Sequence, residues 1–300
     1  MLTRRRAFAA GAALGVIALL YLSLSWVVVS QALVAEAKPL EQHPSEFGLA
    51  FDEVAFPPRG SNGITLRGWW FPNPDAKAVI IRVHGLDSTR AVDLELDRDL
   101  VVAGFALLSF DLRGHGESDP APMGAGLHEQ DDVRGAIDYV LSEQGAEPGK
   151  VLLLGRSFGA AIVLLVGLGE PAVAGVYADS AFASLTDVMV KEVGDRTPIP
   201  GFGAALLKPG LVLMARWAKG IDIGLVAPEG VAAEYPYNLG LAHCKEDDRI
   251  PFDHALRIWS EARAPLFTGY PDCEHAAAYE DFGEQYVEAV VGYFDLRIGS

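Results

Sequence analysis

Val151-Leu-Leu-Leu-Gly-Arg-Ser-Phe-Gly159 begins as a buried-strand run and ends in Gly155-x-Ser157-x-Gly159, with an apolar stretch of helical character behind it, Ala160 to Leu168. This is the pattern of a nucleophile elbow, in which a serine on a tight strand-to-helix turn lifts its hydroxyl above the edge of a sheet. Small residues two positions before and two after the serine let the backbone fold back without a Cβ clash. Ser157 is therefore the candidate nucleophile. With 32 glycines in the chain, the string alone is only moderately specific, and its weight comes from what surrounds it.

Strand and helix signals alternate on both sides of the elbow, which predicts an α/β architecture with crossover connections. Upstream, Phe51 to Phe56 and Ile64 to Phe71 read as an antiparallel pair around the turn residues Ser61-Asn62-Gly63. Ala78 to His84 is a buried strand, Thr89 to Ala103 a helix, Phe105 to Phe110 the next strand and Asp131 to Ser142 a further helix. Downstream, Val173 to Ala178 is a strand. From about 181 to 236 the strand rhythm gives way to an apolar segment rich in proline and glycine, expected to be a small lid insertion. Strand character returns at Leu239 to His243 and Pro265 to Gly269, each followed by a helix, the last from about Ala276 to Phe294.

The 300 residues exceed one compact core, so a globular domain of roughly 250 residues with an appendage is expected. The appendage is residues 1–37. Arg4, Arg5 and Arg6 precede the uncharged stretch Ala7 to Ala35, which is longer than the roughly 20 apolar residues that cross a bilayer as a helix. Its length favours a retained anchor. The alternative is a cleaved signal peptide and a secreted domain, since Ala35-Glu36-Ala37 has the small-x-small form of a cleavage site. In both cases the arginines stay cytoplasmic and the domain, residues 51–300 behind a linker at 38–50, is extracytoplasmic.

The net charge is −16, and the domain beyond residue 37 carries −18 because the leader holds three arginines against one glutamate. Such acidity argues against a nucleic-acid partner. His-Glu-x-x-His, the dinucleotide glycine signatures and CxxC pairs are all missing from the sequence, so neither a metal nor a nicotinamide cofactor is expected.

A serine hydroxyl needs a base to take its proton and an acid to orient that base. Of seven histidines, His43 lies in the linker, His128 and His254 open or sit in helices, and His84, His115 and His243 stand at or near strand ends, where structural hydrogen bonds are the ordinary explanation. His275 lies in the loop Tyr270-Pro-Asp-Cys-Glu-His275, between the last strand and the last helix. Reacting groups in open α/β sheets collect at the carboxyl ends of strands, so the acid belongs in the loop after Leu239 to His243, where Asp247 and Asp248 both qualify. For the oxyanion, the Phe158 N–H follows the nucleophile and the Leu86 N–H follows His84-Gly85. An ordinary strand-ending turn is the other explanation of His84-Gly85.

With these residues assembled the chain resembles the α/β-hydrolase superfamily, and within it the membrane-segment-bearing serine aminopeptidase-like and ABHD-type serine hydrolases. Gly68-Trp-Trp-Phe-Pro72, Val83-His-Gly85, Phe110-Asp-Leu-Arg-Gly-His-Gly-Glu-Ser118, Gly155-Arg-Ser-Phe-Gly159 and Ala178-Asp-Ser-Ala-Phe-Ala-Ser-Leu185 match the family's landmarks in order, over Phe51 to Phe294. The resemblance implies a mostly parallel central sheet flanked by helices. It aligns Asp247 of His243-Cys-Lys-Glu-Asp247-Asp-Arg-Ile-Pro251 with the family's acid, although Cys244 replaces the expected glycine. Asp179 is a further candidate acid, because some relatives place theirs there; otherwise it caps a helix beginning near Ala181. The expected activity is ester cleavage through an acyl-enzyme on Ser157, Asp247 and His275, with a peptidase on the same residues and a non-catalytic binding module as alternatives. The substrate would be a small ester or acyl compound, with Leu206, Leu207, Leu211, Val212, Leu213, Met214 and Trp217 offering an apolar lining or simply core packing.

Cys244 and Cys273 are the only cysteines, three residues before the expected acid and two before the expected base. In an exported protein an even count suggests a disulfide, and a Cys244–Cys273 bridge would hold both loops in register.

Overall fold

The computed structural model describes residues 2–33, 36–61, 63–197 and 201–299. Ala35 of the cleavage-like tripeptide and Asn62 of the first turn lie outside the described residues.

The chain opens with helix α1 (Leu2–Ala32), followed by strands β1 (Asp52–Phe56), β2 (Leu66–Phe71) and β3 (Val79–Val83), helix α2 (Leu94–Val102), strand β4 (Ala106–Phe110) and helix α3 (Glu129–Ser142). Strand β5 (Val151–Arg156), helix α4 (Phe158–Gly167) and strand β6 (Val173–Asp179) come next. Helices α5 (Leu185–Arg196), α6 (Gly201–Ala205), α7 (Lys208–Lys219) and α8 (Glu229–Ala232) then precede strand β7 (Gly240–Cys244), helix α9 (Asp253–Glu261), strand β8 (Leu266–Tyr270) and helix α10 (Ala278–Ile298).

The eight strands form one sheet in the order β1-β2-β4-β3-β5-β6-β7-β8. β2 pairs antiparallel with β1 and β4, and every pairing from β4 through β3 to β8 is parallel. β3 and β4 are buried along their whole length, as expected of central parallel strands covered by helices on both faces. This accounts for the unbroken apolar runs in the sequence. The core beneath one face gathers Trp69, Phe71, Ile80, Leu107, Leu154 and Tyr177 with Tyr286, Tyr293 and Phe294 of α10. This is the α/β-hydrolase fold.

The predicted helix from Thr89 is the clearest displaced boundary, since α2 begins only at Leu94. Arg90 is fully buried and commits both its backbone N–H (2.7 Å) and its guanidinium to Asp111, which holds the chain in turns instead. The Phe110–Ser118 landmark is in this way a structural latch. Arg113 donates from Nε (2.9 Å) and Nη2 (2.6 Å) to Oδ1 of buried Asp132 of α3, and Ser118 Oγ closes the loop onto the Asp111 carbonyl at 2.6 Å. Removing one partner of such a buried pair costs about 3–5 kcal/mol, because it strands the other charge.

The segment 38–50 is ordered, with a short 3-10 helix at Pro44–Phe47 capped reciprocally by His43 and Glu46, and with Leu49 in the core. Between β6 and β7 the described residues are helical, from α5 at Leu185 to α8 at Ala232. Met1–Val34 and Leu185–Leu225 make one compact unit, while Ala35–Ser184 and Val226–Ser300 make the other, which contains the sheet. In α1, Phe8–Ala32 is long and apolar enough to cross a membrane.

Candidate active site

Ser157, Asp247 and His275 follow β5, β7 and β8, so all three stand at the carboxyl edge of the sheet. Ser157 holds φ 55° and ψ −116°, a left-handed conformation rare for a residue with a side chain. The flanking glycines explain how the turn closes. A Cβ on Gly155 would lie 2.4 Å from the Gly159 carbonyl oxygen, and one on Gly159 would lie 2.2 Å from that of Val83. The turn is further fixed by the Ser157 N–H, which donates to the Asp179 carbonyl at 2.8 Å.

His275 is set in its loop between two residues of positive φ, Asp272 (54°) and Ala276 (57°). Its Nε2 is 2.7 Å from Ser157 Oγ and its Nδ1 is 2.7 Å from Asp247 Oδ2. A carboxylate only accepts, so Nδ1 carries the ring proton and Nε2 presents a lone pair to the serine hydroxyl. Asp247 is held from the other side by the N–H groups of Arg249 (3.0 Å) and Ile250 (2.7 Å), both donating to Oδ1. Burial pushes this carboxyl up, but hydrogen bonds from His243, His275 and the Ile250 amide outweigh burial and leave it well below the usual range. Asp247 therefore stays a carboxylate, able to stabilise a cationic His275. Asp248 is exposed.

Asp179 has other partners. Its carboxylate accepts from Ser180 Oγ (3.0 Å) and Tyr286 Oη (3.2 Å), and burial raises its pKa. It caps no helix either, because α5 begins at Leu185 and Asp179 ends a buried strand.

The backbone donors are placed by a side chain that sequence patterns had left among the structural histidines. His84 Nδ1 donates to the Gly85 carbonyl at 2.7 Å, while its Nε2 accepts from the Leu112 N–H at 3.0 Å. Burial, reinforced by His115 with its ring centroid 5.1 Å away, pushes the His84 pKa down to about 3, so the ring is neutral. Because the peptide is planar and trans, pinning the Gly85 carbonyl on one edge presents the Leu86 N–H on the opposite edge. Gly85 itself abuts Ser157, a Cβ there falling 3.3 Å from Ser157 Cβ. Phe158 is the first residue of α4, where the N–H has no partner within the helix and the helix dipole favours negative charge. His243 is the second missed residue. It is fully buried, with Nε2 2.8 Å from the Ile250 carbonyl and 3.3 Å from Asp247 Oδ2, so it braces the turn that carries Asp247. Its signal was a histidine four residues before a loop aspartate.

Cys244 and Cys273 are joined in a disulfide with Cα atoms 5.2 Å apart, and both sulfurs are buried. The bridge ties the end of β7 to the loop that carries His275.

Beside the Leu86 turn lies a cavity of about 470 Å³, within the usual range of small-molecule sites. Its lining is acidic, with Glu41, Asp87, Asp93, Glu95 and Glu280 against Lys38. Two of these carboxylates, Asp93 and Glu280, pair with Arg156, the residue before Ser157. Among the described residues no group of three His, Cys, Asp or Glu side chains is placed to hold a metal ion.

Comparison with known proteins bears on the family and the fold. The family described as "Serine aminopeptidase, S33" matches residues 74–200. The uncharacterized protein YfhR of Escherichia coli is 30% identical over 241 residues, covering 77% of each chain. Among solved structures, the Pyrococcus furiosus esterase Pf2001 superposes with a TM-score of 0.73 at 16% identity, covering 89% of this chain and 98% of that one. The esterase domain of a Rhodothermus marinus protein gives 0.60 at 19% identity, covering 83% and 100%. From its fold and its kinship to these sequences, the chain belongs to the α/β-hydrolase superfamily.

Proposed function

We propose that this protein is a membrane-anchored serine hydrolase that cleaves carboxylic esters on the extracytoplasmic side of the membrane. The Ser157 hydroxyl attacks the ester carbonyl carbon while its proton passes to His275 Nε2. The oxyanion that forms is met by the N–H groups of Phe158 and Leu86, and Asp247 stabilises the imidazolium without taking its proton. Collapse of the intermediate breaks the bond to the alcohol oxygen, which leaves with the proton from Nε2, and the acyl group stays on Ser157. Water then attacks the acyl-enzyme by the same route in reverse, releasing the acid and restoring the serine. The observation that carries this reading is the unbroken series Asp247–His275–Ser157, with both links at 2.7 Å.

The esterases among the structural neighbours support the choice of ester over other acyl bonds. The apolar span Phe8–Ala32 behind three arginines supports the anchor and its orientation. A second reading, hydrolysis of an aminoacyl amide, is favoured by the acidic cavity, whose carboxylates would suit a free α-ammonium group.

A fluorophosphonate probe followed by peptide mapping tests the nucleophile, and rates on p-nitrophenyl esters and aminoacyl amides separate the two readings. Ser157→Ala should abolish labelling and turnover while leaving the melting temperature nearly unchanged. Label on another residue, or hydrolysis surviving in the purified variant, would refute the assignment.

A further inference from the structure

The N-terminal helix and the insertion are one packed unit, and their contacts bear on where the insertion resides. Tyr21 of α1 bridges two groups at the start of α7. Its hydroxyl donates to the Leu206 carbonyl at 3.0 Å and accepts the Gly210 N–H at 2.8 Å. Gly210 leaves no room for a side chain, since a Cβ there would lie 2.3 Å from Ser25 Oγ and 2.7 Å from the Tyr21 ring. Five residues along α1, Trp26 meets Trp217 of α7 edge to face, with centroids 6.3 Å apart. The two helices thus climb side by side, Gly210 level with Tyr21 and Trp217 level with Trp26.

This pairing fixes the depth of α7 once α1 spans a bilayer. A hydrocarbon core about 30 Å thick takes roughly 20 helical residues at 1.5 Å each. Counted from Phe8, Tyr21 lies about 20 Å in and Trp26 about 27 Å, near the far boundary where tryptophans concentrate. A helix docked alongside Tyr21–Trp26 cannot lie in bulk water. The surface agrees, because Leu213 and Trp217 of α7 are 52% and 77% exposed, and Phe202 and Leu206 just ahead of it 79% and 70%. The cations of α7 also fit. Arg216 and Lys219 stand in its last turn, at the Trp217 level where headgroups begin, and Lys208 at the deeper end is paired with Asp187.

We propose that α7, with Phe202 and Leu206 ahead of it, is a second membrane element, seated among the acyl chains of the leaflet opposite the N-terminal arginines. The inference rests on the membrane-spanning reading of α1 and is independent of the chemistry at Ser157. It makes the chain grip the bilayer through one spanning helix and one half-inserted helix.

Spin labels on single introduced cysteines test it in the full chain, since the two native cysteines are already joined. Ile17→Cys, Leu206→Cys, Leu213→Cys and, as a water-facing control, Val102→Cys would be reconstituted in phosphatidylcholine–phosphatidylglycerol vesicles, all four side chains being exposed in the fold. Accessibility to oxygen and to a water-soluble nickel complex is then read by power saturation. The labels at 206 and 213 should favour oxygen over nickel several-fold, as at 17, with the reverse at 102. Nickel access at 206 and 213 equal to that at 102, with 17 still in lipid, would overturn the proposal and leave the anchor standing. Nickel access at 17 would overturn both. Spin–spin broadening at 213 that vanishes on dilution with unlabelled chain would assign the face to a second copy and also overturn it. Fluorophosphonate labelling of Ser157 in the same vesicles reports the hydrolase reading separately.

Discussion

Replacing Cys244 and Cys273 together with alanine removes a cross-link between residues 29 apart in sequence. In the chain-entropy model a ring of this size restricts the unfolded chain by about 12 cal/mol/K, or roughly 3.5 kcal/mol at 25 °C. Both cysteines are buried, so losing the sulfur contacts adds on the order of 1 kcal/mol. For a unit of this size each kcal/mol moves the midpoint by about 2–4 °C, so we predict a fall of roughly 9–18 °C. The assay is thermal unfolding followed by circular dichroism in detergent. The variant is preferred to a reductant, which buried sulfurs admit slowly. Cys244→Ala alone should fall almost as far, because it breaks the same bridge. A double variant within about 2 °C of the parent would refute the cross-link argument. The bridge also sits three residues before Asp247 and two before His275, so its loss should lower kcat by up to about 100-fold, the order expected of a misplacement near 1 Å, with KM changing less. Unchanged kcat beside a lowered midpoint would confine the bridge to stability.

Asp247→Asn should cut kcat by about 10⁴-fold with little change in KM, because an amide can donate to Nδ1 and force the ring proton onto Nε2, where the serine needs a lone pair. The same variant has a pH signature. The folded carboxyl is held below its usual range, so its stabilisation is complete above about pH 4 and is lost as pH falls toward the depressed value. The stability gap between variant and parent should therefore narrow below pH 4, and a gap constant from pH 6 to 2.5 would contradict the hydrogen-bond account. Gly159→Ala drives a Cβ to 2.2 Å from the Val83 carbonyl oxygen and should destabilise by about 1–3 kcal/mol or more and abolish probe labelling, whereas Gly85→Ala, with its nearest contact at 3.3 Å, should be milder. A stable, labelled Gly159→Ala protein would remove the elbow argument. His84→Ala frees the Gly85 carbonyl and should lower kcat by up to about 10²–10³-fold at near-constant KM, with partial recovery in His84→Asn; a fall in stability with kcat intact would leave His84 a purely structural group.

Several features of this protein are written locally. The apolar runs of β3, β4 and β5 mark central parallel strands because both of their faces are covered, and Gly155-x-Ser157-x-Gly159 marks the elbow because a Cβ at either glycine would meet backbone oxygen at 2.4 or 2.2 Å. The order Ser157, Asp247, His275 and the loops that hold them also follow from strand succession. Choosing between neighbouring Asp247 and Asp248 needs more, since both are loop carboxylates. The two are told apart by the turn that buries Asp247 within 2.7 Å of His275 Nδ1 and leaves Asp248 exposed. His84 and His243 resemble any strand-end histidine until their partners, 28 residues away at Leu112 for one and 7 away at Ile250 for the other, are in place. The late start of α2 reflects Arg90 being drawn to Asp111, 21 residues on.

The sequence by itself therefore determined the elements, their class and the loops that carry Ser157, the two candidate aspartates and His275, because those depend on spacing along the chain. Tertiary structure alone decided the strand order, the bracing of the acid and the seat of α7 against Tyr21 and Trp26, because each is a contact between segments whose separation no local pattern encodes.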